Sequence, residues 1–236
     1  MELIEAFITA LPDIPRWVEV RGMLLAGRGH AYGVELAPVP TGVVFQPDIK
    51  LAAVVGQPEL DLIREIAQNA DEILAVPENA DWVTRALSDW TAELATLHVL
   101  SDRSQLPEPS SESVRLLNPE DISAFPDLPV PFREELEIAF RAGSAIAAAW
   151  SVEYPVAFCY AGAVTETLWD VAISTLTPYH RRGYATKCFH YLAHRMAQDG
   201  KKPVWGAAQS NLASARLAAK LGFDAIDSLF VYSRVA

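Results

Sequence analysis

The 236-residue sequence has only two cysteines and no long hydrophobic run. Cys159 and Cys188 both lie in apolar stretches, which excludes a disulfide framework and predicts a reducing, cytoplasmic location. A membrane-spanning helix needs about 20 apolar residues, whereas the apolar runs here have the length of a strand. The N-terminal stretch is acidic and has no basic segment before an apolar core, so we expect neither a signal peptide nor a membrane partner.

Basic residues are also scarce, but they are unevenly placed. The chain has 19 Lys and Arg against 30 Asp and Glu, and residues 1–112 hold 18 of the acidic but 7 of the basic side chains. Residues 178–222, by contrast, hold eight basic side chains and one acidic one, Asp199. This basic island predicts a local site for an anionic ligand and no nucleic-acid surface. Alternatively, these basic residues form a solvated helix face whose charge is random and binds no ligand.

The clearest boundary in the chain is RSQLPEPSSES at residues 103–113, where two prolines and four serines interrupt the apolar periodicity. We therefore predict an N-terminal α/β domain at residues 1–102, a linker at 103–113 and a second domain at 114–236. Before the linker, the pattern predicts helices at 15–28, 59–69 and 79–89 and strands at 42–46, 50–55, 72–76 and 93–100. GRGHAYG at 27–33 follows a helical pattern, so we interpret it as a helix stop and a turn, not a dinucleotide-binding loop.

After the linker, strands and helices follow in a distinctive order. A strand at 114–117 precedes a short helical turn and an amphipathic helix at 132–143. The rest of the pattern predicts three antiparallel strands at 144–152, 156–164 and 168–176, a helix at 185–198, a strand at 203–208, a helix at 211–222 and a final strand at 228–235.

The stretch TPYHRRGYATK at 177–187 places His180, Arg181 and Arg182 just before a helix begins. A helix N-terminus already carries partial positive charge, so cations there are unfavourable unless a negative group binds beside them. Gly183 lets the backbone approach such a group closely. Plain surface arginines at a helix start are the alternative.

These residues resemble the GNAT superfamily of N-acetyltransferases, whose signature Gln/Arg-x-x-Gly-x-Gly/Ala appears as His180-Arg181-Arg182-Gly183-Tyr184-Ala185. The family's second motif is matched by Asn211, Ser214, Leu221, Gly222 and Phe223. The resemblance covers about half the chain, residues 114–236. It implies an α/β fold with a mixed sheet, preceded by a smaller α/β unit that is either a degenerate GNAT-like unit or a separate lid.

The resemblance further implies that acetyl-coenzyme A is the co-substrate and that its pyrophosphate lies at the loop from Arg181 to Thr186. His180 departs from the family's Gln or Arg, and its charge would depend on pH. Lys187, Lys201 or Lys202 could meet the ribose phosphate. The implied cofactor-binding residues are Ile173, Ser174, Thr175, His180, Arg181, Arg182, Gly183, Tyr184, Ala185, Thr186, Asn211 and Ser214.

In this family an amine attacks the thioester directly, which requires a base and often an acid for the leaving thiolate. Glu166 and Asp170 are the candidate bases, with Glu166 slightly favoured because a turn carboxylate can pass its proton to water. The alternative is that both are structural. Ala218 stands where many members of the family have the tyrosine that protonates the thiolate, so either Ser214, Tyr232 or water takes that role, or the enzyme is weak.

The leading hypothesis is therefore an acetyl-CoA-dependent N-acetyltransferase acting on a primary amine of a small molecule or peptide. The acidic N-terminal half favours a cationic acceptor, although solubility also explains that charge. A non-catalytic acyl-CoA-binding regulatory module is the alternative, and a homodimer stays open. His190 and His194 lie one helical turn apart without the glutamate of a zinc-protease motif, so we expect no metal.

Overall fold

The computed structural model describes residues 2–34, 40–100, 113–125 and 128–234, which form one mixed sheet of 11 strands with helices on both faces. The predicted linker at 103–113 lies, except for its last residue, outside the described residues. The division of the chain into domains at this linker therefore stays a prediction.

The N-terminal half begins with a helix that the sequence analysis does not predict. Among its described residues, the α-helices are α1 (Glu2–Ala10), α2 (Val18–Leu25), α3 (Leu60–Ala67) and α4 (Ala80–Ala86). The strands described in this half are β1 (His30–Val34), β2 (Thr41–Gln46), β3 (Leu51–Val55), β4 (Glu72–Ala75) and β5 (Trp90–Leu100).

The interpretation of GRGHAYG is half wrong. The helix does stop there, and Gly27 has a φ of 66°. His30–Val34 nevertheless forms strand β1, which pairs with β2 at the edge of the sheet. Because this edge strand is mostly exposed, it shows no apolar alternation, and the sequence pattern could not identify it.

The C-terminal half has the predicted order of elements. Its strands are β6 (Val114–Leu116), β7 (Ala147–Ser151), β8 (Tyr154–Val164), β9 (Leu168–Thr175), β10 (Lys202–Ala208) and β11 (Phe223–Arg234). Its helices are α5 (Pro119–Ala124), α6 (Val130–Arg141), α7 (Tyr184–Gln198) and α8 (Leu212–Lys220).

The two halves exchange strands in the middle of the sheet. The strand order is β1-β2-β3-β4-β11-β5-β10-β9-β8-β7-β6. The last strand of the chain, β11, therefore lies between β4 and β5 of the N-terminal half, and β5 lies between β11 and β10. Each half is completed by a strand from the other.

Helices from both halves reach the same face of β9. Val18 of α2 packs on Leu168 and Val204, while Ser174 hydrogen-bonds to Glu135 of α6. On the opposite face, Trp169 stacks on Phe189 of α7. Since successive residues of a strand point to opposite faces, Asp170 shares the α2 and α6 face.

None of the described helices is long and apolar enough to cross a membrane. Cys159 and Cys188 are both buried and not disulfide-bonded, and the Cys188 thiol donates to the carbonyl of Ala157.

Candidate active site

Strands β9 and β10 separate halfway along their length. They pair in parallel at only three positions, the last being Val204 with Asp170. Beyond this point, β9 continues along β8 as far as Thr175, and β10 continues along β5 as far as Ala208. The backbone of residues 171–175, which includes the predicted Ile173, Ser174 and Thr175, therefore faces a wedge-shaped gap.

The loop that follows β9 leads into α7, and its backbone is shaped to receive an anion. Gly183 precedes the first residue of α7 with a φ of 83°, and no side chain caps this helix start. A Cβ at Gly183 would meet no atom within 4 Å. The first N–H groups of a helix lack partners within it, so those of Tyr184, Ala185 and Thr186 are available to an anionic ligand.

The side chains of this loop are basic and exposed. Arg181 adopts a φ of 61°, unusual for a residue with a Cβ. Arg182 lies over the ring of Tyr179, 5.5 Å from its centroid. The His180 ring approaches the carbonyl of Thr175 at 2.8 Å and so ties the loop to the end of β9.

The three lysines considered for the ribose phosphate lie in different places. Lys187, on the first turns of α7, contacts the hydroxyl of Ser113 at 3.2 Å. Lys201 donates to the carbonyls of Thr165 and Glu166, and Lys202 pairs with Leu168, both at the far end of β9. Lys187 alone of these three lies beside the loop.

Asn211 and Ser214 organise the start of α8. The Asn211 side chain accepts a hydrogen bond from the Ser214 N–H at 3.0 Å, as an N-cap. The Ser214 hydroxyl accepts from the indole of Trp205 on β10 at 2.8 Å. Ala218 is fully buried in the aromatic cluster that contains Trp205 and Phe223. A tyrosine at this position would have to displace that cluster.

Tyr232 is not brought together with the other candidates. It is buried in the core of the N-terminal half, where its hydroxyl donates to the carbonyl of Ala80 at 2.8 Å and contacts Thr84. Burial raises its pKa. Its position reflects the strand exchange, because β11 runs beside β4 at this residue.

Glu166 lies in the turn between β8 and β9, as predicted, and forms an ion pair with Arg21 of α2. Arg21 is buried and also donates to the carbonyls of Ile8 and Leu11 at the end of α1. The ion pair thus fastens the turn to the N-terminal half.

Asp170 lies where β9 and β10 separate, and its carboxyl group hydrogen-bonds to that of Glu19 on α2. Burial raises the pKa of Asp170 to about 6, although the hydrogen bond from Glu19 acts in the opposite direction. Burial and the negative charge of Asp170 raise the pKa of Glu19 well above its ordinary value. Two carboxyl groups in contact cannot both stay ionised at low cost.

A cleft of about 350 Å³ lies on the same face, between the two halves. Gly162 lines it, and a Cβ there would lie 2.9 Å from a carboxylate oxygen of Asp170. Glu135 accepts hydrogen bonds from Tyr160 at 2.9 Å and from Ser174 at 3.3 Å. The cleft is lined by Arg28, Gln46, Ile49, Pro131, Glu134, Glu135, Ile138, Ala139, Ala142, Ser144, Tyr160, Ala161 and Gly162.

Sequence reasoning missed Glu19 and Glu135. Each is an acidic residue within a helix, and a single sequence offers no way to distinguish it from the solvated acidic residues of other helices. In the part of the chain that the structure describes, no three His, Cys, Asp or Glu side chains are grouped to hold a metal ion.

Comparison with known proteins gives a family match for the part of the chain that contains the loop before α7 and the gap between β9 and β10. Residues 143–232 match the family model described as GNAT acetyltransferase. No curated protein matches the sequence significantly.

The fold resembles three solved structures along nearly its whole length. A GCN5-related N-acetyltransferase-like protein from Streptococcus suis has 18% identity and a TM-score of 0.69, covering 98% of both chains. A putative GNAT-family acetyltransferase from Novosphingobium aromaticivorans has 16% identity and a TM-score of 0.65, covering 95% of this chain and 98% of that one. A tandem GNAT protein from the clavulanic acid biosynthesis pathway has 11% identity and a TM-score of 0.60, covering 98% and 94%.

Proposed function

We propose, on the premise that residues 143–232 form a GNAT acetyltransferase domain, that this protein transfers an acyl group from acyl-coenzyme A to an amine. The acceptor is a primary amine of a small molecule or peptide. The observation that carries this proposal is the position of Asp170, at the apex of the gap between β9 and β10. A carboxylate at that point faces both the gap and, past Gly162, the cleft.

The coenzyme fits the gap and the loop beyond it. The pyrophosphate would lie on the N–H groups at the start of α7, with Arg181 and Arg182 close to it and Lys187 placed for the ribose phosphate. The open space at Gly183 leaves room for phosphate oxygens. The unpaired backbone edge of residues 171–175 can hydrogen-bond to the pantetheine arm, which brings the thioester toward Asp170.

The cleft between the halves suits a cationic acceptor. Glu134 and Glu135 contribute negative charge, while the guanidinium of Arg28 is already paired with Asp48. An ammonium group next to Glu135 would therefore find a carboxylate held in place by two hydroxyl groups.

The chemistry follows from these positions. Asp170 takes a proton from the acceptor's ammonium group, and the neutral nitrogen then attacks the thioester carbonyl. The C–N bond forms and the C–S bond breaks, and the second proton lost from nitrogen goes to the thiolate sulfur by way of water. We assign this role to water, since Tyr232 is buried in the core of the N-terminal half; the Ser214 hydroxyl, which accepts from Trp205 and keeps its own proton, is the alternative donor.

A panel of amines with acetyl-CoA tests the function. We expect thiol release with cationic amines, and Asp170→Asn should lower kcat by at least ~100-fold without weakening coenzyme A binding. Glu135→Gln should raise KM for a cationic amine more than for a neutral one.

Glu137→Gln is the matched control, because this residue lies on the same helix but does not line the cleft. Coenzyme A that stabilises the protein against heat without any turnover across the panel would support the non-catalytic alternative instead.

A further inference from the structure

Glu19 and Asp170 belong to opposite halves of the chain, yet their carboxyl groups meet at the apex of the gap. Glu19 is on α2, and this helix packs closely against β8 and β9. A hydrogen bond between two carboxyl groups requires a proton between them, since two carboxylates have no donor.

We propose that Glu19 is a positioning residue of the acyl-transfer site: as a neutral carboxylic acid it donates a hydrogen bond to the Asp170 carboxylate, so that the pair holds one proton. The role of Glu19 in catalysis rests on the proposed function, whereas the presence of a shared proton does not depend on it. The N-terminal half thus supplies part of the catalytic apparatus.

The surroundings of the pair favour a single negative charge. Glu72 of β4 places a further carboxylate near Glu19. From β8, the Tyr160 hydroxyl and the Cys159 thiol lie within the field of Asp170. These neighbours are anionic or neutral, so they disfavour a second charge on the pair.

The nearby cations are engaged elsewhere. Arg21, on the same helix, is paired with Glu166, and Arg16, just before the helix, is paired with Asp227 and Glu78. Each is therefore already neutralised by a carboxylate other than those of the pair.

The proton balance of the reaction follows from this arrangement. The acceptor's ammonium group gives its proton to Asp170, whose carboxylate is oriented by the O–H of Glu19. After the amine has attacked, Asp170 returns that proton to solvent through the cleft, and Glu19 keeps its own proton throughout. Because Glu19 is protonated and Asp170 is ionised, the Asp170 carboxylate can accept a proton near neutral pH.

Two substitutions of similar size separate this role from a structural one. Glu19→Gln keeps an N–H donor toward Asp170, whereas Glu19→Leu removes it. The value of kcat/KM for acetyl transfer should rise with pH as Asp170 loses its proton. We expect the midpoint of this rising limb to lie at nearly the same pH in the Glu19→Gln variant as in the wild type. The Glu19→Leu substitution should shift this limb upward by about one pH unit or more, because Asp170 then loses the hydrogen bond that favours its charged form.

An equal loss of kcat in both variants with no shift of the limb would overturn the positioning role. Infrared difference spectra of protein labelled with ¹³C-glutamate provide a readout that needs no substrate. The wild type should show a protonated glutamic acid band at about pH 8, and Glu19→Gln should lack it.

Absence of that band in the wild type would overturn the shared proton even if the amine panel reacts. A band that depends on Glu19, in a protein that acetylates no amine, would uphold the pair and count against the proposed function alone.

Discussion

Gly22 of α2 lies so close to Ala163 of β8 that a Cβ added at Gly22 would come within 2.7 Å of the Cβ of Ala163. Real Cβ atoms do not approach this closely. The absence of a side chain therefore lets the helix of one half rest directly on the sheet of the other. Glu19 lies one turn earlier on that helix, so this contact also sets its distance from Asp170.

Gly22→Ala should destabilise the protein, although alanine normally favours a helix over glycine by about 1 kcal/mol. The added methyl group must push α2 from β8, at a cost of about 1–3 kcal/mol for overpacking. Denaturant unfolding measures this change. Gly206→Ala is the control, because its new Cβ would meet only Leu97 at an ordinary 3.8 Å. A more stable Gly22→Ala variant would show that the two halves are not pressed together here.

Gly183→Asp should abolish coenzyme A binding, because it places a carboxylate where the pyrophosphate would lie. Calorimetry should detect at least a ~100-fold loss of affinity, equivalent to about 2.7 kcal/mol. Gly143→Asp is the matched control, since Gly143 has a similar φ of 76° and open space around it but lies at the end of α6. Unchanged affinity in a folded Gly183→Asp protein would remove the loop from the phosphate site.

Arg21→Met and Glu166→Gln should have unequal effects on stability. Arg21 is buried and bonds to two carbonyl groups at the end of α1 as well as to Glu166, so its loss should cost about 2–3 kcal/mol. Glu166 is half exposed, and its replacement should cost about 1 kcal/mol or less. Thermal unfolding of both variants provides the comparison. A large loss of kcat in Glu166→Gln with unchanged stability would instead favour Glu166 as the base.

The carboxyl pair should make the protein less stable as the pH rises. Because the folded state raises the pKa values of Glu19 and Asp170, it holds their protons more tightly than the unfolded chain does. The resulting destabilisation is absent below about pH 4 and grows as the pH passes through about 6. The double variant Glu19→Gln, Asp170→Asn should therefore have the higher Tm at about pH 8, by at least ~2 °C. This advantage should shrink toward pH 4, and a constant difference across this range would contradict the linkage.

Limited proteolysis should cut first within residues 103–113, where apolar anchors are few. Because β5 and β11 each lie between strands of the other half, the two fragments should stay associated. Size-exclusion chromatography of the cleaved protein under native conditions should give one peak that contains both. Separate, folded fragments would show that the halves are independent.

The sequence predicts local features of this fold better than its long-range pairings. The loop around Gly183 and the N-cap at Asn211 can be predicted from the sequence, because each depends on residues that are neighbours in the chain. The sequence also identifies Asp170 as a carboxylate on a predicted strand, next to Trp169. Its partner Glu19 lies in the other half of the chain, and no periodicity reports which helix packs on which strand. Tyr232 shows the same limit, since the exchange of β11 into the N-terminal half places it far from the gap.

The place of β11 has a consequence for how the protein is made. The N-terminal half reaches the exit of the ribosome first, but the strand that fills the space between β4 and β5, at residues 223–234, is synthesised after the other ten strands of the described sheet. Until then, the emerging chain carries two open strand edges that could pair with other nascent chains. The central part of the sheet can close only after residues 223–234 have left the ribosome, because its pairings join residues from opposite halves of the chain, such as Phe223 with Leu100. A message truncated before β11 would thus leave both halves unfinished, and its product would be a natural substrate for chaperones and proteases.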